Sequence, residues 1–443
     1  PLHFWLTALS YSAFGVDEWT SRLPSFLSLL MVVGSLLLFA KRFLTMKIGY
    51  LSALICVTSP LMFFLGGSST VDVTFAACTT AALVSYAFFA FSSGAKTLKG
   101  ILVFLFSALG FLTKGPAAMV IIGFPIVLTA VFKRDYLPLR SLPWFLGGVV
   151  FLGLVCPWFY LLERATPGST WYFFYVENFL RFTTADYGGR FGDAHIRPYG
   201  SILWMVALGM LPWLLFSLVD AKFIKHQFAR LCQEPMGVFL LATACGPLLF
   251  FTFAKSILPA YSTPAIPGVA LILAYFLLNP KLGKSHNRGA FKRRDHTTGV
   301  ASLGVGATFV MVVGLFVMAP QIEIERSAAE LLEVLADETK GGHPVVATLS
   351  ERDLSPYWLE GAYENELSKP IHIVHADGDD IAMSKFRHVI VRDKRVDEQL
   401  FSVLKENYEK RLTLGRWHWY IRRKNVADER LALNERDGVP ARQ

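Results

Sequence analysis

The polar groups in this chain that could do chemistry sit at a few sharply defined places. Asp17 and Glu18 precede Arg22 just before a long apolar run, and Asp72 opens another such run. Lys114 stands between two runs in Lys114-Gly115-Pro116, and Lys255 and Tyr261 flank a third tight connection. A stretch of about forty residues, 163–202, adds Glu177, Arg181, Asp186, Tyr187, Arg190, His195 and Arg197 among many aromatics. Cations beside a few carboxylates suit an anionic substrate: Arg and Lys hold phosphate oxygens through charge-assisted hydrogen bonds. A carboxylate there could activate or position an acceptor, or hold a cation in place.

Each residue also has a plainer reading. Ser69 precedes Asp72 by three residues, the pattern of a capping box at a helix start. Lys114 ends an apolar run, where a cation is favoured by the helix dipole. Glu18 and Arg22 have the i, i+4 spacing of a surface ion pair. His195 in a loop reads first as a solvated imidazole. No set of His, Cys, Asp and Glu has a metal-site spacing, and there is no glycine-rich phosphate loop of P-loop type. Spacing therefore predicts no cofactor.

The elements that must position these groups are membrane helices. Strongly apolar stretches run through about 23–40, 49–66, 71–92, 100–113, 117–131, 143–162, 203–219, 236–252, 261–279 and 298–319. Lipid cannot satisfy backbone polar groups, so stretches of this length must be helical. Alternate connections carry seventeen basic residues, from Lys41 to Arg294, against seven on the opposite set: Arg22, Lys114, Arg164, Arg181, Arg190, Arg197 and Lys255. The richer set is cytoplasmic by the positive-inside rule. The chemically interesting residues thus all face outward. The loop at 163–202 is too long for a simple connection and too aromatic for a disordered one, which reads as a functional, folded loop. Residues 1–22 read as a short amphipathic lead-in, with Trp5, Tyr11 and Trp19 suited to an interface.

Composition agrees: 53% of residues are hydrophobic and 17% charged, and mean hydropathy is +0.43. That is the composition of a membrane protein rather than of one soluble core. The net charge of +9 comes largely from the cytoplasmic loops, where it meets anionic headgroups, and argues poorly for nucleic-acid binding. Cys56, Cys78, Cys156 and Cys245 fall in the apolar runs and Cys232 in a cytoplasmic loop, so no disulfide framework is expected. From about residue 320 the composition changes. Helical periodicity over 327–340, short strands at 345–349, 371–374 and 388–391, helices near 352–360 and 396–409, and a longer strand over 411–422 predict a small outward α/β domain, 320–425, with a polar tail at 426–443. The fold class is therefore a polytopic α-helical membrane protein of about ten or more transmembrane helices with a small C-terminal α/β domain; residues 1–319 form the membrane domain.

Four stretches in order carry a family resemblance. Pro1-Leu2-His3-Phe4-Trp5, with Phe14-Gly15-Val16 and Glu18-Trp19-Thr20-Ser21-Arg22-Leu23-Pro24-Ser25 after it, is the first. The others are Gly110-Phe111-Leu112-Thr113-Lys114-Gly115-Pro116, Glu177-Asn178-Phe179-Leu180-Arg181-Phe182 and Phe253-Ala254-Lys255-Ser256-Ile257-Leu258-Pro259-Ala260-Tyr261. Together they resemble the polyprenyl-phosphate-sugar-dependent glycosyltransferases of the protein mannosyltransferase superfamily (GT-C), and within it the bacterial lipid A aminoarabinose transferases. The resemblance implies an inverting transfer from an undecaprenyl-phosphate sugar to a lipid A-type or other periplasmic acceptor, at the outer face of the bacterial inner membrane. It implies a periplasmic C-terminal domain. On this reading Lys114, Arg181 and Lys255 contact phosphate, Tyr261 and Arg22 help to bind substrate, Asp72 organises the acceptor or the cations, and Glu177 supports. The family's motif runs through Lys-Pro-Pro, of which this chain begins at the last proline, so a first helix and a first outward loop with the principal acidic residue are expected upstream of Pro1. Related enzymes resemble Glu-His where this chain has Glu177-Asn178; a divalent metal is the cofactor question this raises. A polytopic lipid or solute transporter is the alternative of a different class, although no inverted repeat is evident.

Overall fold

A computed structural model describes residues 1–184, 195–214, 228–229 and 231–278 of the chain. Beyond them it describes isolated positions between 302 and 338, the segments 345–348, 372–375, 386–392, 398–414 and 417–423, and Ile381. The chain divides into two compact units, Pro1–Met311 and Val312–Gln443.

The first unit is helical: α1 Leu2–Phe14, α2 Glu18–Phe43, α3 Met46–Thr58, α4 Pro60–Gly66, α5 Val71–Phe91, α6 Lys96–Lys114, α7 Ala117–Lys133, α8 Leu137–Arg140 and α9 Trp144–Ala165. After these come α10 Ser169–Trp171, a π-helix over Tyr172–Leu180, α11 Arg181–Thr183, α12 Ser201–Gly209, α13 Pro235–Thr252, a 3-10 turn over Pro259–Ala265 and α14 Ile266–Leu278. Among the described residues six helical stretches are long and apolar enough to cross a bilayer, and seven if α3 and α4 count as one broken span. The chain is thus a polytopic membrane protein. The run at 298–319 and the end of that at 203–219 lie largely outside the described residues.

The run at 49–66 is not one straight helix: α3 and α4 meet at 71°. Pro60 is the cause. It has no N–H to continue the ladder and forces Ser59 out of the helical region, to φ −69° and ψ 127°. The break is packed: Trp213, fully buried, donates its indole N–H to Thr58 Oγ1 at 2.9 Å. The lead-in also differs in character from its reading. The two buried residues of α1 are polar, His3 and Ser10, and each hydrogen-bonds a neighbouring helix.

Helix α5 is the centre of the unit, with most of its length buried and α2, α6, α7 and the 3-10 turn packed around it. Small residues set the closest approaches, as in membrane bundles generally. A side chain at Gly147 of α9 would lie 2.1 Å from the Phe104 ring of α6. The main apolar core joins Val32 and Leu36 of α2, Ile55 of α3, Val73 and Ala77 of α5 and Ile266 and Ala270 of α14. A second cluster, with Phe75, Ile121, Ile202, Phe251 and Ile257, lies against Tyr261 and Phe182.

The second unit contains a five-stranded sheet, β1 Val345–Thr348, β2 His372–His375, β3 His388–Arg392, β4 Tyr408–Leu414 and β5 Trp417–Arg422, in the order β2-β1-β3-β5-β4. β1 runs parallel to β2 and β3, whereas β5 is antiparallel to both β3 and β4. Helix α15, Glu398–Asn407, leads into β4 and packs Leu400 and Leu404 with Val389, Val391 and Tyr408. The single strand expected over 411–422 is instead a hairpin, with Leu414 paired to Trp417. In the sequence the glycine-containing pair Gly415-Arg416 falls between them, a hairpin signal that alternation alone hides. The helix expected near 352–360 and the tail at 426–443 lie outside the described residues.

Candidate functional site

The site forms where helix ends meet. Asp72 lies in the first turn of α5 and Lys114 is the last residue of α6. Their side chains form an ion pair that is 15% and 20% exposed. Asp72 is therefore not the capping-box acid that Ser69 suggested: Thr70 is the N-cap, and no side chain caps this helix. The carboxylate instead faces the cation across the α5–α6 hairpin.

The helix start is held from outside. Ser25 of α2 accepts from the Thr70 N–H and donates to its carbonyl, both at 3.2 Å, and the Thr263 hydroxyl of the 3-10 turn, 2.8 Å from the Ala260 carbonyl, lies 3.3 Å from the Asp72 carbonyl. Lys114 is placed as tightly. Gly115 ends α6 at φ +70°, a conformation that favours glycine, and a Cβ there would meet the Phe173 ring at 2.7 Å. The ammonium lies 4.1 Å from the Tyr261 ring centroid and 5.6 Å from that of Phe75, a cation on two aromatic faces.

A second ion pair comes from the long aromatic stretch. The Glu163 carboxylate accepts from the N–H groups of Gly168 and Thr170 at 2.7 and 2.9 Å, starting the helical turn there. The π-helix that follows places residues five apart together. Tyr172 donates to Glu177 Oε1 at 2.8 Å, and Asn178 Nδ2 donates to the Phe173 carbonyl at 2.7 Å. Where α-helical winding returns, Arg181 meets Glu177 Oε2 at 3.1 Å. Arg181 Nε also donates to Ser256 Oγ at 3.3 Å. Tyr261, whose ring carries the Lys114 ammonium, lies within electrostatic reach of Arg181, Asp72 and Glu177, so the second ion pair neighbours the first.

Lys255 is fixed by its backbone, which donates to the Phe182 carbonyl and accepts from Arg197 N–H, both at 3.1 Å. Its ammonium lies 4.0 Å from the Tyr199 ring centroid. It thus borders the cluster through its neighbour Ser256, with its ammonium over Tyr199 rather than on the Asp72–Lys114 pair. Arg22 stands apart: it pairs with Glu18 at 2.8 Å on the exposed side of α2, as the i, i+4 reading expects. Asp17 caps that helix together with Thr20. His195 contributes its carbonyl to Ile257 N–H at 2.9 Å. Asp186, Tyr187 and Arg190 lie outside the described residues.

Tyr199, Ser256, Phe75, Thr263 and His3 belong to the surroundings of the site without having been legible as such. Their roles come from packing across the bundle, and no local spacing marks them. Among the described residues no three His, Cys, Asp or Glu side chains come together as metal ligands. Both oxygens of Glu177 are engaged by Tyr172 and Arg181, and the Asn178 amide by the Phe173 carbonyl. That arrangement does not fit a metal at Glu177-Asn178.

Residues 1–161 match the family described as dolichyl-phosphate-mannose-protein mannosyltransferase. An undecaprenyl phosphate-α-4-amino-4-deoxy-L-arabinose arabinosyl transferase of Sodalis glossinidius is 30% identical over 282 residues, covering 62% of this chain and 48% of that protein. The corresponding transferase 2 of Proteus mirabilis is 26% identical over 277 residues, with the same shares. The chain thus spans about half the length of these relatives. Among solved structures, apo ArnT from Cupriavidus metallidurans superposes with a TM-score of 0.74 at 18% identity, over 95% of this chain and 87% of that one. The same protein bound to undecaprenyl phosphate gives 0.70 at 17% identity, with the same coverage. In motifs and in fold, this chain is similar to the membrane glycosyltransferases of the protein mannosyltransferase superfamily, and within them to the aminoarabinose transferases.

Proposed function

We propose that the protein to which this chain belongs transfers a sugar, with inversion, from an undecaprenyl-phosphate carrier to a lipid A-type or other periplasmic acceptor. The observation that carries this reading is the cluster at the helix ends: the Asp72–Lys114 pair on the face of Tyr261, beside the Arg181–Glu177 pair. The relatives named for undecaprenyl-phosphate aminoarabinose support a pentose as the sugar transferred, and the ArnT structure with undecaprenyl phosphate supports the carrier. A topology of about ten or more spans, with the site and the second unit on the periplasmic side of the inner membrane, belongs to the same proposal.

In the reaction an acceptor oxygen attacks the anomeric carbon while the bond from that carbon to the phosphate oxygen breaks. Polyprenyl phosphate leaves from the opposite face with the electron pair. Negative charge grows on the leaving phosphate, and cations held in place before the reaction stabilise that charge without reorganising. Lys114 and Arg181 are the cations so held, each by a carboxylate partner, with Lys255 beside them. A lipid A phosphate is already ionised and needs little base catalysis; a hydroxyl acceptor needs a proton acceptor. Asp72 orients Lys114, and Glu177 does the same for Arg181.

The test is transfer in vesicles that contain the full-length protein, undecaprenyl-phosphate aminoarabinose and lipid A, followed by mass spectrometry. Modified lipid A that disappears with Asp72→Asn or Arg181→Ala is the expected result. Passage of the carrier lipid across the bilayer with no covalent product would overturn the reading in favour of a transporter.

A further inference from the structure

Helix α1 is attached to the site by a histidine that the proposed chemistry does not use. His3 is 3% exposed, and its Nδ1 lies 3.0 Å from Thr74 Oγ1, two residues after Asp72 in the uncapped first turns of α5. Thr74 Oγ1 is also 3.0 Å from Ser28 Oγ of α2, and Ser28 donates its hydroxyl proton to the Pro24 carbonyl at 2.7 Å.

With both 3.0 Å contacts taken as hydrogen bonds, the protons are assigned. A hydroxyl has a single proton to give. That of Ser28 is used on Pro24, so the proton between Ser28 and Thr74 must come from Thr74. Thr74 can then only accept from the imidazole, and His3 carries its proton on Nδ1. The other nitrogen, Nε2, is buried and has no partner among the described residues. An apolar ring of similar size would fill this space without burying an unpaired nitrogen, which is costly in a packed interior. The bond from Nδ1 is what distinguishes histidine from such a ring here. Burial holds the imidazole below its ordinary pKa while the charge of Asp72 pulls the other way, in keeping with a neutral ring beside the site.

We propose that His3 is a positioning residue for Asp72. The relay His3–Thr74–Ser28 locks α1, α2 and α5 together two residues along the helix from Asp72. Ser25 of α2 holds the backbone of the same helix start at Thr70. The start of α5 is thereby held from both α1 and α2, so that the carboxylate meets Lys114 in one geometry. A small misplacement of a reacting or orienting group costs rate far more than affinity.

This inference rests on the reading of Asp72 as part of the transfer machinery, and the test separates the two. His3→Ala, His3→Asn, Thr74→Val and Asp72→Asn are compared in the full-length protein, with monodispersity in detergent as the check on folding. Turnover is measured with undecaprenyl-phosphate aminoarabinose, and affinity with undecaprenyl phosphate. Asparagine offers an amide N–H close to where Nδ1 stands. The expected result is a fall in kcat of about tenfold or more for His3→Ala and Thr74→Val, with KM and the affinity for undecaprenyl phosphate little changed. His3→Asn then recovers most of the loss. Full turnover in His3→Ala and Thr74→Val, or an equal loss in His3→Asn, would overturn the positioning role while Asp72→Asn remains inactive. Turnover retained by Asp72→Asn would remove the catalytic reading and this inference with it. Thr74→Val is nearly isosteric and reports on the relay even where His3→Ala does not fold.

Discussion

The Asp72–Lys114 pair is mostly withdrawn from water, and its two members differ in what their removal does. A half-buried carboxylate stripped of its cation keeps its desolvation cost, and breaking such a pair costs about 3–5 kcal/mol in the buried limit. Lys114→Ala should therefore lose both transfer and thermal stability. The double variant Asp72→Asn with Lys114→Met removes both charges together and should recover most of the melting temperature while staying inactive. A double variant that turns over would exclude the pair from the chemistry. Gly115 gives a second residue-scale prediction. Alanine there would take a backbone conformation open almost to glycine alone, costing about 1–3 kcal/mol, and press on Phe173, so Gly115→Ala should lower the melting temperature and turnover together. The identities of Asp72, Lys114, Arg181, Glu177 and Tyr261 were legible as candidates in the chain because ionisable groups beside apolar runs are few. Arg22 was drawn in by its motif and is occupied by Glu18. Lys255 has its ammonium over Tyr199, a partner brought near by the antiparallel pairing of 195–200 with 252–257, which includes the bridge between Ile196 and Ser256.

At the scale of elements, periodicity and hydropathy located the helices because lipid leaves the backbone no alternative. They missed what single residues do to those helices: the 71° break at Pro60 and the π-helix over Tyr172–Leu180. The π winding matters because it stacks Tyr172 on Glu177, and Tyr172→Phe should free one carboxylate oxygen and weaken the hold on Arg181. A rise in KM for the carrier lipid, with folding intact, is the expected outcome. In the sheet, His388 of β3 accepts from Trp419 Nε1 at 3.3 Å across the β3–β5 pair. Burial, reinforced by the charge of Arg387, pushes its pKa down to about 4. As pH falls, the unfolded chain takes up the proton before the folded one does. The sheet's stability is thus fully present above the ordinary imidazole value of 6.5 and declines as pH falls from there towards about 4. Hydrogen exchange of β3 and β5 amides, corrected for intrinsic rate, should show that decline, and His388→Gln should flatten it.

At the scale of the whole molecule, the alternation of basic loops predicts one orientation. A reporter that is active only after export, fused after residue 423, should be active, and one fused within the connection 92–95, just before Lys96 and Lys99, should be silent. The reverse pattern would put the site in the cytoplasm and end the case for a periplasmic acceptor. The two units are each built around their own core, and each carries its own test: lipid-linked transfer for the first, pH-dependent exchange for the second.

By itself the chain's order of residues determined the membrane class, the run of helices, the family resemblance and a short roster of polar residues, because hydropathy and charge act locally and leave a readable trace. Only the tertiary structure decided which of those residues share a site. Asp72 and Lys114 are forty-two positions apart, Arg181 and Ser256 seventy-five, and His3 and Thr74 seventy-one. Such pairings depend on which helix ends the packing of α5 against its neighbours brings together, and that packing is a property of the whole bundle rather than of any one segment.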